Sequence, residues 1–169
     1  MSDDAMEAMQ AMAAPGPEHQ RLESFVGVFR AVVKLWMGPG DPMVSTGTMT
    51  NTLELGDRFL RQDYKGDPGP GPFPDFEGHG YWGFNKATQQ YEGFWIDTAS
   101  TLMQTEAGTV DDAGKMWTML GEMMHQPGET VKKRTVITLE DEDNHSMVTY
   151  FVKGDEEFKG MEIQYTRAE

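Results

Sequence analysis

The chain has 169 residues, a length at which one domain buries a real apolar core on folding. Its 28 Asp and Glu residues outnumber 14 Lys and Arg residues, and the formal charge of −14 argues against nucleic acid or an anionic membrane as a partner. There is no cysteine, which excludes disulfides, thiolate metal sites and a thiol nucleophile.

The first 16 residues predict an N-terminal extension with a short helix. Met6, Met9 and Met12 recur every three residues among alanines, and Pro15 to Pro17 end the pattern. Residues 18–25 predict a second short helix. It lies at the start of the predicted barrel domain, which covers residues 17–169. The N-terminus carries acids where a secretion signal needs positive charge, and no segment has the roughly 18–20 apolar residues of a membrane span, so we expect a cytoplasmic protein.

From Val28 onward, short runs rich in β-branched and aromatic residues alternate with turn residues. The predicted strands cover residues 28–37, 44–55, 58–65, 76–85, 91–97, 101–110, 115–124, 130–140, 145–153 and 157–167. Ten strands with short links and no crossover helix predict an all-β fold, a single antiparallel up-and-down β-barrel, because closure removes the sheet edges. A sandwich is the alternative. The proline-rich link at 66–75 is expected over one mouth.

The aromatic-rich segment 78–98 decides whether the barrel is hollow. One possible inward set consists of His79, Tyr81, Trp95 and Asp97, and the opposite set of Trp82, Phe84, Phe94 and Ile96. The first set would line a cavity with aromatic walls and a few polar groups, which is typical of ligand pockets. The second would form a dry core. The alternation alone leaves both registers open.

The favoured hypothesis is a small hydrophobic ligand bound in the barrel interior. The candidate cavity residues are Phe59, Arg61, His79, Tyr81, Trp95, Asp97, Glu122, Arg134 and Glu162. In this hypothesis three aromatic residues, Phe59, Tyr81 and Trp95, supply the walls. Three charged residues, Arg61, Asp97 and Glu122, orient a polar end of the ligand.

Two alternatives from other classes remain open. One is an interaction or structural protein, a homodimer whose barrel is filled. The other is an enzyme on a small apolar substrate, in which Asp97, Glu122 and Glu162 would converge as acid and base. Their counter-charges would be Arg61 and Arg134. No nucleophile elbow or phosphate-binding loop is present, and the four histidines are too scattered to predict a metal site.

Several segments together resemble a bacterial family of uncharacterised proteins, domain-of-unknown-function family fifteen seventy-nine. They include "PGPEHQRLESFVGVF", "FEGHGYWGFNKATQQYEGFWIDTAST" and "GTVDDAGKMWTMLGE", and the similarity runs from about Pro15 to Arg167. "LESFVGVF" also resembles the entry into calycin barrels such as lipocalins, fatty-acid-binding proteins and nitrobindins. There a short helix leads to a Gly-x-Trp at the first strand, and Phe29 stands here in place of the usual tryptophan. That resemblance implies a barrel with a hydrophobic-ligand cavity.

The nitrobindin resemblance raises haem as a ligand, which needs an imidazole that projects into the cavity. Nitrobindins place this ligand on the last strand, and the last predicted strand here has no histidine. We therefore expect no cofactor. His79 and His145 are the donors to examine.

Overall fold

A computed structural model of the chain describes residues 2–168. The N-terminal part forms helix α1 (Asp3–Ala13), helix α2 (Pro17–Gln20) and a 3-10 helix (Arg21–Phe25). The ten strands are β1 (Gly27–Leu35), β2 (Met43–Glu54), β3 (Phe59–Gly66), β4 (Glu77–Asn85), β5 (Gln90–Asp97), β6 (Gln104–Val110), β7 (Met116–Gln126), β8 (Glu129–Leu139), β9 (Asn144–Lys153) and β10 (Glu156–Arg167). Each predicted strand is found, with its ends within three residues of the predicted bounds.

The strands close into one antiparallel barrel in which each strand pairs with its neighbours in the chain. The first strand also pairs with the last: Phe29 lies opposite Met49 of β2 on one side and opposite Arg167 of β10 on the other. The barrel prediction is therefore confirmed, and the sandwich alternative was wrong. No helix within residues 2–168 is long and apolar enough to cross a membrane.

The helices after α1 plug one end of the barrel. Leu22 and Phe25 are 0% and 2% exposed and pack into an apolar cluster with the ring of Trp117. Hydrogen bonds from the barrel hold the plug in place: Asn51 Nδ2 donates to the Phe25 carbonyl oxygen and the Tyr91 hydroxyl to the Glu18 carbonyl oxygen, each over 2.8 Å. This end of the interior is filled by packed side chains.

The opposite end is open. The links between β1 and β2, β3 and β4, and β5 and β6 all lie at this end, including the proline-rich one. The side chains on the inward face are partly exposed here, with Met43 at 45% and Phe158 at 50%. Phe76, at the end of the proline-rich link, packs on Tyr64. The barrel is therefore filled at one end and accessible at the other.

The register between β4 and β5 places neither of the two residue sets considered above as a whole on the inward face. Tyr81 pairs with Phe94, whereas Trp95 pairs with Gly80 and so lies on the opposite face from Tyr81. The loop between the strands has four residues, so odd-numbered residues of β4 share a face with even-numbered residues of β5. The inward face combines half of each set: Trp82, Phe84, Trp95 and Asp97.

Candidate functional site

A buried charge pair lies on the inner wall toward the open end. Glu106 of β6 and Lys133 of β8 have only 12% and 10% of their side chains exposed, and Lys133 Nζ lies 3.3 Å from Glu106 Oε2. Lys133 Nζ also donates a hydrogen bond of 3.3 Å to Gln104 Oε1. A lysine, a glutamate and an amide from two strands thus meet inside the barrel.

Gly121 of β7 makes this meeting possible, because it lies opposite Glu106 on one side and Lys133 on the other. A Cβ at this position would stand 3.2 Å from Lys133 Cε, 3.4 Å from Glu106 Cβ and 2.5 Å from the Thr105 carbonyl oxygen. A larger residue would therefore collide with the backbone and crowd both charged side chains.

The pair is incompletely hydrogen-bonded. Glu106 Oε2 is buried and accepts no hydrogen bond, because Lys133 Nζ approaches it closely enough for charge attraction but outside hydrogen-bond geometry. The ammonium group of Lys133 has three donors, and one of them is used by Gln104. The attraction between the two charges offsets part of the cost of burying them, and further hydrogen bonds to the carboxylate would offset more.

Trp95 forms the neighbouring part of the inner wall, since it pairs with Gln104. Its indole Nε1 donates a 2.9 Å hydrogen bond to Asp97 Oδ2, and its ring lies over Gly78 and Gly80. Of the nine predicted cavity residues, Trp95 and Asp97 face inward.

The other seven predicted residues project from the outer face: Phe59, Arg61, His79, Tyr81, Glu122, Arg134 and Glu162. Placing them in the interior was therefore wrong. Each strand presents alternate residues to opposite faces, and these seven are out of phase with the buried residues of their strands. The three carboxylates of the enzyme hypothesis do not converge, because Asp97 is inside and the other two are outside.

A polar network covers part of the outer face of β2, β3 and β4. Arg61 Nε lies 2.9 Å from Asp63 Oδ2, and the Tyr81 hydroxyl donates to Glu54 Oε2 over 2.9 Å. The Asp63 hydrogen bond raises the pKa of Arg61, and the Glu54 hydrogen bond raises the pKa of Tyr81. His79 Nδ1 completes the network at 2.5 Å from Asp63 Oδ1.

Two further ion pairs occupy the outer face elsewhere. Arg134 pairs with Glu157 and lies over the ring of Tyr150, and its hydrogen bond lowers the pKa of Glu157. Glu162 is held by Lys159 and Lys34, and the Lys159 hydrogen bond is the main cause of its lowered pKa. These groups lie on the outer surface and do not reach the interior.

An apolar groove of about 1000 Å³ runs across the outer faces of β3 to β7. The outward side chains that line it are Phe59, Tyr81, Phe94, Ala107 and Leu120, with Glu92 and Glu122 among the polar residues beside them. The rings of Tyr81 and Phe94 stack with centroids 5.7 Å apart. Met12 of α1 reaches one edge of the groove.

His145 lies at the plugged end, not at the open one. It stacks on Tyr165 at 4.5 Å between ring centroids and meets Phe25 and Phe29 edge to face. Burial, reinforced by the charge of Arg167, lowers its pKa to about 4. Neither His145 nor the outward His79 faces the open half of the interior, where a haem iron would need its ligand. The side chain of His125 lies outside the described part of the chain.

The comparisons with known proteins concern the family and the fold. No curated protein matches the chain significantly. The solved structure of the S-type phycobiliprotein lyase CPES from Guillardia theta is similar, with a TM-score of 0.58 over 92% of this chain and 99% of the other, at 10% identity. At this identity the likeness concerns the fold alone, a closed antiparallel barrel. The family model for proteins of unknown function called DUF1579 matches residues 14–167, and the chain belongs to this family.

Proposed function

We propose that the protein binds a small amphipathic molecule in the open half of the barrel. The apolar body would lie against Trp95 and the partly exposed apolar side chains of the mouth, including Met43 and Phe158. A polar group of the ligand would meet Glu106 and Lys133 on the inner wall. The observation that carries the proposal is the buried Glu106–Lys133 pair, in which Glu106 Oε2 has an ion-pair contact of 3.3 Å with Lys133 Nζ but no hydrogen bond.

The pair favours a neutral polar group over an ion. Glu106 and Lys133 together carry no net charge, and the chain as a whole carries −14, which repels anionic ligands. A group with one donor and one acceptor satisfies both residues, because it donates to Glu106 Oε2 and accepts from Lys133 Nζ. Primary amides and alcohols with an apolar body belong to this class.

The fold comparison supports the barrel as a scaffold for small-molecule chemistry. The similar solved protein is named as a lyase of phycobiliproteins, so the same architecture serves a biochemical role elsewhere. Its activity is not carried over, because 10% identity leaves only the fold in common. The choice of ligand class rests on this chain's own side chains.

The test uses three fluorescent probes with one apolar body: 11-(dansylamino)undecanamide, its N,N-dimethylamide and the corresponding carboxylate. We expect the primary amide to bind about tenfold more tightly than the other two, because only it can donate a hydrogen bond to Glu106 Oε2 and accept one from Lys133. Fluorescence titration of the full chain measures the three affinities.

Two variants locate the binding site. K133M/E106L removes both charges together, so that neither is left buried alone, and should abolish the preference for the primary amide. L120E places a charge in the outer groove and should leave that preference intact. Equal binding of the three probes by the wild type, or loss of binding in L120E instead, would contradict the proposal. Native mass spectrometry of the purified protein adds a direct search for a retained molecule.

A further inference from the structure

Helix α1 has an apolar face that is left uncovered by residues 2–168. Met6, Met9 and Met12 are 43%, 57% and 53% exposed, and no residue of the helix is buried. The helix has 11 residues, a length at which an isolated helix is only marginally stable in water. Its methionine face therefore needs a surface to pack on.

The groove across β3 to β7 is a second apolar surface, which the described part of the chain covers only at the edge where Met12 lies. Phe59 and Leu120, which line it, are 40% and 59% exposed, and Leu55 beside them is 71% exposed. Contiguous apolar surface of this kind on a soluble protein commonly marks an interaction site.

The two surfaces agree in size. Five neighbouring strands spaced about 4.8 Å apart span roughly 19 Å across the groove. A helix of 11 residues at 1.5 Å per residue is about 16 Å long. The methionine face of α1 thus matches the groove in length as well as in apolar character.

The position of α1 shows how two copies would meet. Arg58 Nε donates to the Ala13 carbonyl oxygen over 2.9 Å, and Lys86 Nζ donates to the Ala11 carbonyl oxygen over 2.8 Å. These bonds fix the C-terminal turn of α1 at the edge of its own groove. Two copies that face each other groove to groove can each place α1 in the groove of the other, around a two-fold axis.

We propose that the groove receives the methionine face of α1 from a second copy of this chain, so that the protein forms a two-fold dimer. To estimate the buried area, we take half of the lateral surface of the 11-residue helix, add an equal area of groove, and double the sum because the dimer has two such contacts. The total is about 1,100 Å². This area just exceeds the roughly 1,000 Å² expected of a specific interface. The dimer does not depend on the ligand proposed above.

Cross-linking between singly substituted chains tests the contact directly. The chain has no cysteine, so M9C and L120C each carry a single thiol. Each variant is mixed with the other and treated with a short bis-maleimide, and the product is identified by mass spectrometry. We expect M9C to be joined to L120C between chains. M103C is the matched control, because Met103 is 71% exposed in the link between β5 and β6 at the open end, and it should not be joined to M9C.

Sedimentation equilibrium gives the second readout. We expect M9E and L120E each to weaken the dimer at least tenfold, whereas M103E leaves it unchanged. M9E cannot unfold the barrel through lost core packing, because α1 contributes no buried residue. Added salt should strengthen the dimer, since each copy carries −14 and salt screens their repulsion. A wild-type chain that stays monomeric at about 100 µM, or a dimer that survives both substitutions, would overturn the proposal.

Discussion

Lys133 and Glu106 face each other inside the barrel with about a tenth of each side chain exposed. Removal of one partner leaves the other charge buried and unpaired, so we expect K133M alone or E106L alone to lower the free energy of unfolding by about 3–5 kcal/mol. The double variant K133M/E106L should recover most of this loss. Urea unfolding of the four proteins measures the coupling. Additive losses in the double variant would show that the two charges do not interact.

The sequence contains only a partial signal for this pair. Lys133 alternates in phase with Ile137 and Leu139, which is the more apolar face of β8 and predicts an inward side chain. Glu106 has no such signal, because its neighbours on the same face are Gln104 and Gly108. In the sequence, a polar face that lines the inside of a barrel cannot be distinguished from a face in contact with solvent. Charged residues at outward positions were therefore predicted for the cavity instead.

His145 is the residue whose charge state affects stability most clearly. Its pKa is about 4 in the folded protein and about 6.5 when unfolded, so the unfolded state binds the proton more readily. The corresponding stability is fully present above pH 6.5, is lost as the pH falls toward 4, and amounts to roughly 3 kcal/mol. H145F keeps an aromatic ring in the cage without the titratable group.

The expected outcome is a difference in pH dependence between wild type and H145F. Urea unfolding at intervals between pH 7.5 and about 4 should show the wild type losing stability relative to H145F as the pH falls. A constant difference between the two proteins over this range would contradict a buried neutral imidazole. Below about pH 4 the two curves should run parallel, because His145 is then protonated in both states.

At the scale of strands, local residue patterns were sufficient for prediction. Turn residues such as those at Asp111 to Gly114 separate runs of β-branched and aromatic residues, and each run became a strand. The register between strands was not predictable in the same way. It depends on loop length, and the even-numbered loop between Asn85 and Gln90 places Tyr81 and Trp95 on opposite faces.

Two glycines of β4, Gly78 and Gly80, leave the space that the Trp95 ring occupies. A Cβ on Gly78 would stand 2.2 Å from the Trp95 ring, so the indole would have to move and would lose its hydrogen bond to Asp97. We expect G78A to lower the free energy of unfolding by about 1–3 kcal/mol and to weaken binding of the amide probe. G69A is the matched control, because Gly69 has no close neighbour at that point.

Urea unfolding together with tryptophan fluorescence checks the effect of G78A. The emission spectrum should shift as the Trp95 indole leaves its position, and G69A should behave as the wild type. A stable G78A protein with unchanged emission would show that the strand adjusts its backbone without disturbing Trp95.

The molecule as a whole is neither a hollow barrel nor a completely filled one, although the sequence analysis treated these as the two possibilities. The N-terminal helical segment fills one end through Leu22 and Phe25, while the side chains at the other end remain accessible. The same barrel therefore contains both a packed apolar core and a polar inner wall. The location of the plug depends on where the chain enters the barrel, which an alternation pattern within strands does not reveal.

The pairing of β1 with β10 has a consequence for how the protein is made. β1 starts at Gly27 and β10 ends at Arg167, so the barrel cannot close until the ribosome has released the chain through β10. Until then, β1 keeps one row of backbone hydrogen-bonding groups without a partner, and the latest strand of the growing sheet does the same. Such edges are sites of aggregation. A translation product that stops before β10 would therefore be a hazard to the cell, whatever the complete protein binds.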